Sequence, residues 1–113
     1  MNPILRAAFD NEINLAKQLI SRGELDAGFI HIERAHVLGQ VYVGLHARTH
    51  WLMFKVEVLR RRPIAALGQV VRIVLGSLGS AIGNVPVGNT GGSDISMFGR
   101  MPIEPGLQSI IED

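Results

Sequence analysis

Proline and glycine divide the first 82 residues into segments whose apolar residues recur with the period of an α-helix. Pro3 and Pro63 suit the first turn of a helix, whereas Gly23 and Gly39 suit the position at which a helix stops. The connections between the segments are short, so consecutive helices are expected to run antiparallel. The pattern predicts an all-α fold with four helices, from Pro3 to about Gly23, from Glu24 to Gly39, from about Val43 to Arg61 and from Pro63 to about residue 82.

We expect these four helices to form two stacked antiparallel hairpins. The third helix is apolar on most of its sides, which predicts that it is the central, most buried element. In the fourth helix one broad stripe carries the large apolar side chains, and this stripe is expected to be the buried face. Its members are Ile64, Leu67, Val70, Val71, Val74, Leu75 and Leu78.

The composition of the chain changes after Gly83. Residues 83–113 are rich in glycine and proline and have no sustained apolar period, which predicts an irregular segment. The segment also contains too many large apolar side chains for a wholly solvated linker. We therefore expect one domain, with a helical part over 1–82 and a C-terminal extension over 83–113 that packs on the helices or on a partner.

Charge and composition exclude several classes of function. Eleven Lys and Arg against ten Asp and Glu give a net charge of +1, so neither a nucleic acid nor a membrane is expected as a partner. The basic run at 60–62 lies at a predicted helix end, where cations interact favourably with the helix dipole. The absence of cysteine excludes disulfides and thiolate ligands. The sequence shows no signal-peptide pattern, and its longest apolar stretch, at 73–82, is shorter than the roughly 20 residues of a membrane span, which predicts a cytoplasmic protein.

Three of the four histidines surround the connection between the second and third predicted helices. Glu33 and His36 are three residues apart, and His46 and His50 are four apart, so each pair shares one face of its helix. Because the chain reverses between the helices, we expect His36 to meet His46 near the connection and Glu33 to meet His50 about one turn deeper. Imidazole and carboxylate ligands suit zinc, iron, nickel or copper. The sequence therefore predicts a transition-metal site formed by His36, His46 and His50, with Glu33 as a fourth ligand or as a partner of the ligands.

The spacing excludes two known kinds of metal enzyme and leaves other roles open. Ala47 stands where the zinc proteases carry a glutamate, and only one Glu-x-x-His pair occurs, whereas a di-iron bundle needs two. The histidines can instead stabilise the connection by capping carbonyls, or act as acid and base in an uncharacterised enzyme. No residue is assigned a catalytic role. His31 falls on a different face of its helix and is expected to face solvent or to lie at a rim.

A glycine-rich segment at 83–90 matches the phosphate-binding pattern GxxxxGK[ST], except that Asn89 replaces the lysine. Without that charge, and with a predicted helix rather than a strand before it, a nucleotide site is not expected. Pro86, Gly88 and the Gly91-Gly92 pair instead predict a structured loop with positive φ angles. We expect this loop to cover the histidine cluster.

The first predicted hairpin has small and large apolar residues in a pattern that resembles a tetratricopeptide repeat. In such repeats, small residues allow the paired helices to approach closely. The resemblance covers a single repeat, because Pro63 and the longer third helix break the repeat register. It implies stacked hairpins and a protein-interaction module. The residues that carry it are Ala16, Leu19, Gly23, Leu25, Gly28, Ile32 and Ala35.

Several short motifs extend over nearly the whole chain. They are ERAH at 33–36, LGQ at 38–40, His46, THW at 49–51, PVGNTGG at 86–92 and MPI at 101–103. With them the chain resembles a small bacterial family that is known only as a domain of unknown function. The resemblance implies a shared fold and a shared site without an established activity. Its association with bacterial metal-resistance gene neighbourhoods implies a role in metal handling.

The sequence as a whole predicts a small cytoplasmic helical protein that binds a transition-metal ion, with metal handling or resistance as its role. The alternative is a tetratricopeptide-like interaction module in which the histidines are structural. A third hypothesis is an uncharacterised enzyme that uses the histidine cluster. The expected partner is accordingly a metal ion or another protein.

Overall fold

Five α-helices and their connections make up the described part of the chain. The computed structural model describes residues 2–81, 91–93 and 101–112. The all-α prediction is confirmed, and none of these residues forms a strand. The predicted number of helices is wrong, because a fifth helix lies in the extension that the sequence indicates to be irregular. The helices are α1 (Pro3–Ser21), α2 (Leu25–Gly39), α3 (Val43–Leu59), α4 (Pro63–Ala81) and α5 (Pro105–Glu112).

Both ends of α1 are formed by the residues that the sequence indicates. The Asn2 side chain accepts a hydrogen bond of 2.7 Å from a backbone N–H of the first turn, and Pro3 follows, which has no N–H to satisfy. At the other end Gly23 has a φ of 78°, and the N–H groups of Gly23 and Glu24 donate to carbonyls of the last turn. This left-handed glycine turn directs α2 back along α1.

The connection between α2 and α3 is tight because α2 ends in close contact with its neighbours. A Cβ atom on Gly39 would lie 2.9 Å from Leu45 Cβ and 2.9 Å from the Phe9 ring. Tyr42 then donates its N–H to the Gly39 carbonyl at 3.0 Å, and α3 begins at the next residue. Glycine at position 39 therefore permits the close approach of three elements and places the end of α2 beside the start of α3.

The helices pack in chain order, with α1 against α2, α2 against α3 and α3 against α4. The last helix, α5, returns to pack on α1 and α2 and buries Leu107. For α5, therefore, the prediction that the extension packs on the helical body is confirmed. Two apolar clusters form the core: Leu5, Phe9, Ile13, Ala35, Val37, Leu38 and Leu107 in one, and Ala16, Phe29, Ile32, Met53 and Val56 in the other.

The third helix lies between α2 and α4, which confirms its central position. It is not the most buried helix, because six of its 17 residues are buried, against eight of 15 in α2. Met53 and Val56 are buried in the second cluster. On other sides of the helix Trp51 is 49% exposed and Val58 is 54% exposed. The central position of α3 thus gives it a buried side and an exposed side.

The prediction for the buried face of α4 is wrong. All seven apolar residues of the predicted stripe are exposed, from 38% at Val70 to 86% at Ile64. The buried side carries Ala66 and Gln69 instead. This side faces imidazole rings, as described below, so it needs small and polar residues rather than large apolar ones. Within the described residues, no helix combines the length and the apolar character that crossing a membrane requires.

Candidate metal centre formed by three histidines

The three histidines around the α2–α3 connection converge on one point. His36 Nε2 lies 3.0 Å from His50 Nε2, and His50 Nε2 lies 3.1 Å from His46 Nε2. The three ring centroids are 4.6–4.8 Å apart, with the planes steeply inclined to one another. All three side chains are buried, none with more than 6% of its surface exposed. The prediction that these three histidines lie close together is therefore confirmed.

Their positions follow from the ends of the two helices. His36 lies in the last turn of α2, whereas His46 and His50 lie one turn apart on the same face at the start of α3. The backbone N–H of His46 donates to the Tyr42 carbonyl at 2.8 Å, which makes His46 part of the first complete turn of α3. One turn later the Thr49 hydroxyl donates to the His46 carbonyl at 2.7 Å. The cluster is thus held by regular helix rather than by a mobile loop.

The separations of His50 Nε2 from the Nε2 atoms of His36 and His46 match those of ligands around one metal ion. With metal–nitrogen bonds of about 2.0–2.1 Å, two ligand nitrogens are about 3.3 Å apart around a tetrahedral ion and about 2.9 Å apart around an octahedral ion. The observed 3.0 and 3.1 Å lie between these values. Within the described residues, His36, His46 and His50 form a group whose ligand atoms all lie within 4.8 Å of one another.

Glu33, the other predicted ligand, is not a member of that group. It is half-buried on α2, one turn before His36. The two ring nitrogens of His50 face Gln69 and the two other histidines. A role for Glu33 at the site stays a prediction.

Gln69 of α4 orients the ring of His50. Its Oε1 lies 2.7 Å from His50 Nδ1, and its Nε2 donates to the Gly91 carbonyl at 3.2 Å and to Ser93 Oγ at 3.0 Å. A carbonyl oxygen only accepts, so the contact with Gly91 assigns the amide nitrogen to that side and the amide oxygen to the His50 side. His50 Nδ1 must then carry the proton. The lone pair of His50 is left on Nε2, the atom that faces the other histidines.

Burial keeps two of the three histidines, His46 and His50, uncharged at neutral pH. Desolvation lowers the pKa of His50 to about 4. The hydrogen bond that His50 donates to Gln69 opposes this shift, whereas repulsion from His46, when that ring is protonated, and from Arg72 adds to it. Desolvation also lowers the pKa of His46. Neutral imidazole is the form that binds metal ions, so these rings need to lose no proton at neutral pH. His46 Nδ1 is buried and has no hydrogen-bond partner in the described part of the chain.

Two glycines allow the backbone to approach the rings. A Cβ atom on Gly76 of α4 would lie 2.6 Å from His46 Cε1, and one on Gly91 would lie 2.7 Å from His36 Nε2. Gly91 also has a φ of 74°, as the sequence predicts, and both Gly91 and Gly92 are buried. The end of the predicted loop therefore does cover the cluster. The rest of that loop, residues 83–90 with the phosphate-binding-like pattern, lies outside the described residues.

A buried carboxylate lies beyond Gln69. Ser93 Oγ accepts from Gln69 and donates to Glu57, which is fully buried in α3. Glu57 also pairs with Arg60 at 2.7 Å and with Arg62 at 3.5 Å. The basic run at 60–62 thus neutralises the buried carboxylate of Glu57 near the end of α3. The sequence does not indicate this role. Gln69 and Ser93 therefore connect His50 to the ion pairs that Glu57 forms with Arg60 and Arg62.

The fourth histidine belongs to a separate network. The His31 side chain is 29% exposed, which fits the expected position at a rim, and its Nδ1 lies 2.6 Å from a carboxylate oxygen of the buried Glu12. Arg34 binds the other oxygen of Glu12 at 3.0 Å and also pairs with Glu104, just before α5. This network holds α1, α2 and the start of α5 together. His31 lies outside the three-histidine cluster and can therefore serve as a control position in experiments on the cluster.

Sequence reasoning misses Gln69, Ser93, Glu57 and Gly76. One signal was available for the first of these: Gln69 and Arg72 are the only polar residues with long side chains in the otherwise apolar segment of α4. A polar side chain inside an apolar helix indicates a buried partner. The partner of Gln69 could be found only from the packing of α4 on α3.

The fold and the site define a small all-α domain with a buried cluster of three histidines. A sequence model of the family described as "Protein of unknown function (DUF3703)" matches residues 4–111, which include the cluster and every partner named above. The chain therefore belongs to this family. No curated protein and no solved structure matches the chain.

Proposed function

We propose that this protein binds one divalent transition-metal ion through the Nε2 atoms of His36, His46 and His50. The observation that carries the proposal is the approach of three buried Nε2 atoms to 3.0 and 3.1 Å. Each neutral imidazole has one ring N–H group and one nitrogen lone pair. A metal ion at the point where the three rings converge accepts the lone pairs of all three rings at once. The bond from His50 Nδ1 to Gln69 favours this use, because it leaves Nε2 available as the ligand atom.

The ligand set suggests which ions are suitable. Three nitrogen ligands without a thiolate suit zinc, copper, nickel or iron(II) better than calcium or magnesium, which prefer oxygen. Three histidine ligands leave at least one coordination position of the ion open. Glu33, a water molecule or a ligand from another molecule would fill it. Burial of the cluster, with Gly91 against the His36 ring, slows exchange of the ion with solvent. These properties fit a role in metal handling or resistance.

The test is metal analysis of the purified chain without an affinity tag, followed by titration with zinc, copper and nickel. We expect one ion per chain in the wild type and loss of binding in a His46→Ala, His50→Ala double variant. A His31→Ala variant is the matched control, because it removes a histidine that contacts Glu12 and not the cluster. Equal binding by the double variant and the wild type, or no binding of any of these ions at micromolar concentration, would overturn the proposal.

A second candidate function, a tetratricopeptide-like interaction module, is favoured by the contact between α1 and α2. A Cβ atom on Gly28 would lie 2.8 Å from a side-chain carbon of Ile20 and 3.3 Å from the Ala16 carbonyl oxygen. This is the close approach of paired helices that small residues permit in such repeats. In this case the histidines only stabilise the α2–α3 connection. A protein partner that binds equally well in the presence of a chelator, and binds the double histidine variant, distinguishes this function from metal binding.

A further inference from the structure

The exposed face of α4 has the residue spacing of a helix–helix seam. Ile64, Leu67, Val71, Val74 and Leu78 follow one another at alternating intervals of three and four residues, which is the a and d pattern of a heptad repeat. Each of them is between 44% and 86% exposed. The pattern that normally marks a buried seam is therefore on the surface of the single chain.

The opposite face of the same helix is already occupied. Gln69 and Gly76 are seven residues apart and lie across the helix axis from the seam, against His50 and His46. The apolar face thus cannot turn inward without removing Gln69 from the histidine cluster. Rotation of α4 does not hide the seam, so only another surface can cover it.

The size of this face is that of a protein interface rather than of ordinary surface. Together with Val70 and Leu75, its side chains expose on the order of 700 Å² per copy, against roughly 300–600 Å² for the largest apolar patch of a typical monomer. A stable interface of standard size buries roughly 800 Å² on each partner. The face of one helix, with the residues beside it, is large enough for a stable dimer.

The charge of the face indicates which partner matches it. The exposed side chains of the seam are all Ile, Leu or Val. The positions that flank it carry no charge and are Gly68, Val70, Leu75 and Ser77. Helices that select a different partner do so with charged side chains at those flanking positions. The one charged residue of α4, Arg72, lies on another side and donates to the Ser93 carbonyl at 3.5 Å. A second copy of the same face is its uncharged and equally apolar complement.

We propose that two copies of this chain associate through the exposed α4 seam, defined by Ile64, Leu67, Val71, Val74 and Leu78. The interface is isologous, so the same seam from each copy is buried and closes a symmetric dimer. Because the seam and the histidine cluster are on opposite sides of α4, dimer formation does not depend on a bound metal ion. The two proposals can therefore fail separately.

Sedimentation equilibrium of the untagged protein, from micromolar to several hundred micromolar, tests the association. The wild type should approach twice the 12.3 kDa mass of one chain, with or without a chelator. A Leu67→Glu, Val74→Glu double variant should dissociate at least about 100-fold more readily, because each copy would then bury two unpaired carboxylates. The matched control is an Ile4→Glu, Ile30→Glu double variant, which changes two comparably exposed residues on α1 and α2. Circular dichroism should show the same helix content in all three proteins.

Cross-linking tests the location of the interface without relying on a destabilising change. The chain has no cysteine, so a single Val71→Cys substitution at the middle of the seam gives a disulfide-linked dimer in mild oxidant, whether the two helices are parallel or antiparallel. An Ile30→Cys variant should stay monomeric under the same conditions. Three results would overturn the proposal. The first is a monomer at every concentration, the second is a dimer that persists in the Leu67→Glu, Val74→Glu variant, and the third is cross-linking of the Ile30→Cys variant but not of the Val71→Cys variant. In the first case the seam is covered by another surface, such as a lipid bilayer or another part of the chain.

Discussion

His50 Nδ1 and Gln69 Oε1 lie 2.7 Å apart, and this contact fixes both the ring orientation and the tautomer of His50. The amide orientation is itself fixed by Gly91 and Ser93, which accept from Gln69 Nε2. A residue on α4 therefore sets the position of the lone pair that a histidine on α3 directs at its neighbours. The metal affinity of the site should depend on Gln69 although Gln69 is not a ligand.

Replacing Gln69 with Leu should weaken metal binding by about 10- to 100-fold, the range found when a hydrogen-bond partner of a metal-binding histidine is removed. The leucine keeps most of the volume but leaves His50 Nδ1 without an acceptor, so its ring can rotate and change tautomer. Competition titration against a chromophoric chelator measures the change. Gln18→Leu, an exposed glutamine of α1, is the control and should bind as the wild type does. Equal affinities for the Gln69 variant and the wild type would show that Gln69 does not orient the ligand.

The same contact shows where sequence reasoning succeeds and where it ends. Helical periodicity and the spacing of His36, His46 and His50 are local properties, and a short connection brings the two helix ends together, so the cluster follows from the sequence. Gln69 and Ser93 join it from sites that are distant along the chain. Their participation depends on the rotation of α4 and on the path of residues 91–93, neither of which local periodicity specifies.

The face of α4 illustrates a second limit. The rule that the apolar side of a helix faces inward fails for this helix, because its inner side must fit imidazole rings. A large side chain at Gly76 would overlap His46, and an apolar one at Gln69 would leave His50 unsatisfied. The inward side therefore carries small and polar residues, and the large apolar side chains remain on the surface. Helix α5 is not predicted because its eight residues are too few to show a clear helical periodicity of apolar residues.

Gly76→Ala should destabilise the protein by about 1–3 kcal/mol, because its Cβ would lie 2.6 Å from His46 Cε1 and one of the two elements must shift. Urea denaturation measures the change in the free energy of unfolding. Gly44→Ala is the matched control: it also lies in a helix, but its Cβ would have no atom within 4 Å, so the substitution should be neutral or stabilising by up to about 1 kcal/mol. A Gly76→Ala variant as stable as Gly44→Ala would mean that α4 does not contact the His46 ring.

Glu57→Gln should destabilise the protein by roughly 1–3 kcal/mol, because it removes the charge that Arg60 and Arg62 share and weakens the hydrogen bond from Ser93. The loss is moderate because both arginine side chains reach solvent, where they can be rehydrated. Thermal denaturation of the variant, compared with Glu24→Gln at an exposed position, measures it. A drop in metal affinity should accompany the change in stability, since Ser93 connects Glu57 to Gln69; a variant with wild-type stability would contradict the arrangement.

Acid should destabilise the metal-free protein at a higher pH than carboxylate titration alone would explain. The folded state holds the pKa of His50 at about 4, below its ordinary value of 6.5, so the unfolded chain takes up a proton first as the pH falls. The stabilisation is fully present above pH 6.5 and is lost as the pH falls towards about 4, with a total of up to about 3 kcal/mol. The lowered pKa of His46 acts in the same direction.

Urea denaturation with a chelator present, at several pH values between 7 and 4.5, measures this dependence. A His50→Gln variant should lose less stability than the wild type over the same interval, because its side chain has no proton to take up while it keeps an amide that can bond to Gln69. A His31→Gln variant, changed outside the cluster, should retain the pH dependence that His50 contributes. If the His50→Gln variant and the wild type lost stability in parallel, His50 would not be held neutral by its burial in the folded protein.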